Sequence, residues 1–203
     1  MKKNIIITIG RQFGCGGKQI AEILGSKLGI PVYDSELITK AAQESGFSAE
    51  FFERNDEKRR LFSLTSIFSG ITGDTDNFMS DKGLFSIQCE TIKNIAEQGS
   101  AIIVGRCSDY VLRDHDNTLD VFLTSPFEER VKRVAEREGL DLEKAQNHVE
   151  TQDRNREEYY NYYTFGNWGV ASNYDLCIDS SILGIEGTAN IIIEFAKIAG
   201  LID

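Results

Sequence analysis

The chain has 203 residues, 41% apolar and 27% charged, with a formal net charge of −10 at neutral pH. That length suits a single domain able to bury a sizeable core, and no apolar run approaches the roughly 20 residues that a membrane helix needs. The acidic balance argues against broad nucleic-acid binding, which wants a basic surface, while leaving room for a local basic cleft.

In chain order, the first element is a strand. Residues 4–9 are dominated by β-branched side chains, the mark of a strand buried on both faces. It runs into Gly10-Arg11-Gln12-Phe13-Gly14-Cys15-Gly16-Gly17-Lys18, and a helical pattern over 18–28 follows, closed by Gly29. Glycines let backbone amides approach phosphate oxygens, the helix offers its positive N-terminus, and a lysine adds a point charge. The G-x-x-x-x-G-K-[ST] template is nevertheless not met. With Lys18 as its lysine, Gln12 stands at the first glycine and Gln19 at the hydroxyl.

Pro31 to Asp34 reads as a short second strand, and a helix through Leu37, Ile38 and Ala41 follows to Gly46. Residues 47–82, charged and then rich in Ser, Thr and Gly, read as an insert between core elements. A helix over 83–98 leads to the third strand, Ala101 to Val104, and Leu119 to Phe122 and Leu123 form the fourth. Pro126 opens a charged helix, a second polar helix spans 141–158, and the fifth strand runs from Tyr174 to Asp179 before a final helix over 185–199. Strands separated by helices imply right-handed crossovers and a parallel sheet covered on both faces. Ligands of such sheets sit beyond the strand C-termini, where Gly10, Asp34, Gly105 and Ser125 fall.

Arginines mark that end of the sheet. Arg106 directly follows a buried strand, a place where a charge faces the ligand crevice unless it forms a structural ion pair. Arg130, Arg133 and Arg137 share one helical face, and the simpler reading for each is a solvated position paired with Glu128, Glu129, Glu136 or Glu138. Arg154 and Arg156 follow on a polar segment. An acidic chain that gathers arginines near strand ends points to a small anionic substrate, because guanidinium forks suit phosphate. Asp34 and Ser35 either meet such a substrate or cap the next helix.

Four cysteines, Cys15, Cys89, Cys107 and Cys177, lack any C-x-x-C pair, and His115 and His148 complete no zinc spacing. Free thiols in a reducing cytoplasm are expected. Cys15 reads as a small residue tolerated in a glycine loop, the alternative being a lowered pKa at a helix start. The aromatic run from Tyr159 to Trp168 reads as part of a lid or as a packing or subunit surface, the simpler reading being the surface, compatible with a homo-oligomer.

Ile7-Thr8-Ile9, Gly14 to Lys18, Tyr33-Asp34-Ser35, Ile103 to Arg106, Val121-Phe122-Leu123, Asp153 to Arg156 and Tyr174-Asp175-Leu176 together resemble the cytidylate kinase-like proteins. The resemblance runs in order from residue 4 to about 198. It implies a P-loop NTPase-type α/β core of five parallel strands in three layers, with a helical substrate-binding insert at 47–82 and a lid at 140–168. It also implies ATP and Mg²⁺ as cofactors and a nucleoside monophosphate, most simply CMP or dCMP, as phosphoryl acceptor, with no nucleic-acid or membrane partner. Carried over by position, Gly14, Cys15, Gly16, Gly17, Lys18 and Gln19 would cradle ATP phosphates. Asp34, Ser35, Lys40, Arg106 and Asp109 would face the substrate nucleotide. Lys18, Arg154 and Arg156 would be catalytic, with Arg133 and Asp153 as further lid or phosphate contacts.

The departures from that pattern are specific. Gly17 occupies the usual lysine position counted from the strand, and Gln19 replaces the hydroxyl that helps to hold Mg²⁺, whose ligand is left unassigned. Val104-Gly105-Arg106-Cys107 replaces Asp-Gly-Arg-Asp, Val149 stands for one lid arginine, and Lys40 stands for the arginine after the second strand. Two other readings therefore stay open: a kinase for another small metabolite, and a nucleotide-binding regulator without turnover.

Overall fold

Strand β1 (Ile6–Arg11) is the centre of a five-stranded, all-parallel sheet. The computed structural model describes residues 4–44 and 76–203. The greater part of the expected insert, 47–75, lies outside the described residues, while 76–82 open a helix. After β1 come α1 (Gly17–Leu28), β2 (Val32–Tyr33), α2 (Ser35–Glu44), α3 (Asp76–Gln98), β3 (Ala101–Val104) and α4 (Ser108–Val111). They are followed by β4 (Thr118–Thr124), α5 (Phe127–Glu138), α6 (Leu142–Thr164), a 3₁₀ turn (Ala171–Asn173), β5 (Leu176–Asp179) and α7 (Ser180–Ile198).

The strand order β2-β3-β1-β4-β5 follows from parallel pairing of β1 with β3 and β4, of β2 with β3, and of β4 with β5. Alternation along β1 sorts its side chains between two cores. Ile5, Ile7 and Ile9 pack with Ile20 and Leu24 of α1 and Ile192 of α7. On the other face Ile6 and Ile103 meet Ile38 of α2 and Ile92 of α3. A third cluster, Val131, Val134, Ala145 and Val149, joins α5 to α6 beside the glycine loop. The α/β sandwich read from the sequence is therefore present, with α5 and α6 added at the strand C-termini.

Two boundaries move, each for a physical reason, and one short helix is added. Helix α6 continues past residue 158 to Thr164, because Tyr160 and Thr164 are buried one turn apart. Helix α7 begins at Ser180 rather than at residue 185, with Asp179 capping it through Ser181 N at 2.8 Å and a kink at Gly184 (φ 67°, ψ −177°). The short α4 carried no periodic signal long enough to read. No helix among the described residues is long and apolar enough to cross a membrane.

Candidate active site

The glycine loop between β1 and α1 is held from outside by its carbonyls. Arg156 Nη1 donates to Arg11 O (3.1 Å), Arg130 Nη1 to Phe13 O (3.0 Å) and Arg133 Nη1 to Gly14 O (2.7 Å). Asp153 on α6 pairs with Arg130 and accepts from Phe13 N (2.7 Å), while Arg130 Nε donates to Ser125 O (3.0 Å). Ser180 Oγ donates to Cys15 O (2.7 Å), and Gln12 Oε1 accepts from Thr124 Oγ1 (2.6 Å) and Ser125 N (3.2 Å). Gly14 (φ 81°) and Gly16 (φ 86°) supply the left-handed turns that bring the chain into α1. With its carbonyls turned outward, the loop leads into the N-terminus of α1, the kind of helix end that favours an anion.

The expected solvated arginine face is thus found for only one of its three members. Arg137 pairs with Glu138, while Arg130 is buried against Asp153 and Arg133 is spent on the loop. Carboxylates on the same helix could not compete with a loop that needs donors for its carbonyls. Cys15 is fully buried, and burial raises its thiol pKa against the pull of the Gly17 amide and nearby arginines. That burial fits the reading of Cys15 as a small residue within a glycine loop.

Beside the loop, at the C-terminal ends of β1 and β3, lies a cavity of about 360 Å³. Three arginines enter it: Arg11 from the end of β1, Arg106 from the end of β3 and Arg156 from α6. Among the described residues none of the three forms an ion pair. Burial, then the charges of Arg156 and Arg106, lower the Arg11 pKa to about 9. Arg156 is lowered too, first by burial. Arg106 lies 5.4 Å from the Tyr159 ring centre, and its Nε is buried without a hydrogen-bond partner among the described residues. It also sits within a run of left-handed residues, Gly105 (φ 79°), Arg106 (φ 58°) and Cys107 (φ 55°). Such backbone costs about 1–3 kcal/mol per non-glycine residue and gathers at functional sites.

The remaining walls are aromatic and amide. Gln152, Asn155, Arg156, Tyr159 and Tyr160 line the cavity from one face of α6, at the i, i+3, i+4 and i+7 spacing that helices allow. Trp168 and Tyr174 close the far side, with Trp168 edge-on to Phe122 at 5.4 Å. Asp109 is the one carboxylate in the lining. Burial raises its pKa although Tyr160 OH donates to it at 2.8 Å.

The expected site residues divide between this cavity and its surroundings. Ser35, Arg106, Asp109 and Arg156 line it; Lys40, Gln19 and Arg154 are exposed and do not. Residues two apart on a helix stand about 200° apart, so Arg154 and Arg156 face opposite ways. Asp34 caps α2, accepting from Leu37 N (3.0 Å) and Glu36 N (3.1 Å), and its second oxygen takes Lys18 Nζ at 3.1 Å. Burial alone would raise the Asp34 pKa, but those donors hold it below the usual carboxylate range. The Lys18 side chain is 69% exposed and lies outside the cavity lining. Arg133 and Asp153 hold the loop itself.

Sequence reading passed over Arg11, Gln152, Asn155, Tyr160, Trp168 and Tyr174 as site residues. The signal for Arg11 was present, since it too is a charge ending a buried strand, as Arg106 is. For the α6 residues the signal was a helical face that extends beyond the expected helix end.

Comparison with known proteins agrees with this geometry. Residues 6–182 match the cytidylate kinase-like family. A cytidylate kinase of Methanopyrus kandleri is 30% identical over 202 residues, covering 93% of this chain and 91% of that protein. One from Pyrococcus horikoshii is 28% identical, covering 94% and 88%. Among solved structures, an uncharacterized protein from Eubacterium ventriosum is 29% identical with a TM-score of 0.74, covering 95% of this chain and 98% of that one. Shikimate kinase from Bacteroides thetaiotaomicron, 12% identical with a TM-score of 0.54 and coverages of 95% and 98%, shares the fold alone.

Proposed function

The chain belongs to the cytidylate kinase-like family and is a phosphotransferase of the nucleoside monophosphate kinase type; from that premise we propose that its donor is ATP and its acceptor CMP or dCMP. The observation that carries this reading is the cavity in which three arginines face a single carboxylate. A phosphate monoester brings close to two negative charges at pH 7, about the excess of cation found there.

In this reading an oxygen of the acceptor phosphate attacks the γ-phosphorus of ATP, the bond to the β-phosphate oxygen breaks, and ADP leaves. No covalent intermediate with the protein forms. The rate comes from alignment and from charge stabilisation in a site with little water. The backbone amides of the glycine loop cradle the donor phosphates ahead of α1. Arg106 holds the acceptor phosphate, and Arg156 spans it and the transferring group. Tyr159, Tyr160, Trp168 and Tyr174 offer ring faces to a base, and Gln152 and Asn155 carry both donors and acceptors for its edge.

Mg²⁺ fits beside the donor, because it keeps most of its ligands as water and phosphate oxygens and needs one or two carboxylates. No group of three or more His, Cys, Asp or Glu suited to a metal occurs among the described residues, so Asp109 in the cavity or Asp34 beside it would be the protein ligand. Bound there, the ion would neutralise charge on the β- and γ-phosphates.

The test is ADP release from ATP and Mg²⁺ over a panel of nucleoside monophosphates and small hydroxylated metabolites. Release that depends on CMP or dCMP, with kcat/KM at least about tenfold above other acceptors, is expected. Turnover on a different acceptor would reassign the substrate. ATP binding without turnover on any acceptor would make the protein a regulator, and no nucleotide binding at all would sink the reading.

A further inference from the structure

The loop described above lacks a cation in the usual place. In the P-loop template a lysine of the first helical position reaches the β- and γ-phosphates. Counted from β1, that position is Gly17, and the following Lys18 is drawn off to Asp34 with its side chain in solvent.

The space that a side chain at position 17 would use is not empty. A Cβ added to Gly17 would lie 3.1 Å from Arg11 Cγ and 3.2 Å from Arg11 Cβ. Further along the same side chain, a Cβ added to Gly105 would collide with Arg11 Nη1 and stand 3.0 Å from Arg11 Cζ. Arg11 therefore threads between two glycines on different elements, its stem over position 17 and its head over position 105, inside the cavity lining.

We propose that Arg11 replaces the loop lysine: its guanidinium, delivered from the end of β1, binds the β- and γ-phosphates of the donor nucleotide. Two side effects of the arrangement agree with this. Among the described residues no carboxylate is paired with the Arg11 head, and burial disfavours its charged form, so a polyphosphate would supply the counter-charge. A planar fork also spans two phosphate groups where a lysine would touch a point. Gly17 and Gly105 are then specificity devices for arginine, keeping a lane open across the loop.

The inference rests on ATP as donor, and the experiment separates the two. Binding of a non-hydrolysable ATP analogue is measured by calorimetry for the wild type and for Arg11→Met, Arg11→Ala, Lys18→Met, Gly17→Ala and the double variant Arg11→Ala with Gly17→Lys. Arg11→Met keeps the stem over Gly17 and removes the charge, and it is expected to weaken binding at least about tenfold. Lys18→Met is expected to stay within about threefold. Gly17→Ala, a conservative change in a helix, pushes the stem aside and is expected to weaken binding at least about threefold. The double variant puts a lysine into the vacated lane and is expected to bind at least about fivefold more tightly than Arg11→Ala alone. Unligated Arg11→Met should melt no lower than the wild type, because an unpaired half-buried cation has gone. Wild-type binding that survives Arg11→Met and Gly17→Ala unchanged, or that is lost in Lys18→Met, overturns the assignment of Arg11. A wild type without affinity for the analogue overturns the ATP reading and this one together.

Discussion

Arg156 shows how much one rotation about a helix axis decides. It reaches the cavity and also fixes Arg11 O at 3.1 Å, so it touches both the loop and the space for substrate. Arg154, on the opposite face of α6, is exposed and touches neither. Removing an arginine that acts on transition-state charge costs about 10³–10⁵ in kcat in related phosphoryl transfers. Arg156→Ala is accordingly expected to lower kcat/KM at least about a hundredfold, and Arg154→Ala less than about threefold, in the same ADP-release assay. Equal losses in both variants would mean that α6 rotates in the working enzyme. The Asp-Arg-Asn-Arg string could not reveal this by itself, because it does not say which of its arginines follows the buried face of the helix.

At the scale of elements, the loop and the α5–α6 pair form one mechanical unit. Arg130 and Asp153 are the joint: the arginine is 5% exposed, and the pair together holds Phe13 N, Phe13 O and Ser125 O. Breaking a buried pair by removing one partner leaves an uncompensated charge and costs about 3–5 kcal/mol. Asp153→Ala should therefore destabilise the protein by about 3 kcal/mol in urea denaturation and weaken nucleotide binding as well, since Phe13 N loses its acceptor. A stability loss under about 1 kcal/mol would show that the joint is water-filled and lax. Asp153 is bonded to the loop through Phe13 N, a contact that the chain order of its motif does not carry.

The whole molecule is acidic, with 32 Asp and Glu against 22 Lys and Arg, yet its cavity is cationic. The Arg11 pKa, lowered to about 9 from the ordinary arginine value, sets a sign. Below about 9 the folded state carries a charge that it disfavours, and that cost fades as pH rises from 9 towards the ordinary arginine value. An anion relieves the same cost from the other side. Pyrophosphate is therefore expected to raise the melting temperature by several degrees, about 3–8 °C at pH 7, and by progressively less as pH passes about 9. A shift that is flat with pH would mean that Arg11 keeps its charge above pH 9 or lies outside the anion site. Much of this architecture was legible in the sequence, because β-branched runs closed by glycine or charge are strong signals for buried parallel strands. Arg106 and the glycine loop were legible for the same reason. The aromatic wall was not, since Tyr160, Trp168 and Tyr174 meet only when α6 and the segment before β5 fold back across Phe122. Nor was the lane of Arg11, which exists because two glycines 88 positions apart (105 − 17) face one side chain.

That lane has a consequence for how such a chain can change over generations. A lysine restored at position 17 would strike the stem of Arg11, and an arginine lost from position 11 would remove the cation delivered from the end of β1. Each step alone is expected to weaken nucleotide binding, and the two together to restore part of it. The pair is a one-way gate in sequence space: relatives of this chain should carry one solution or the other, and single-residue intermediates should be missing between them.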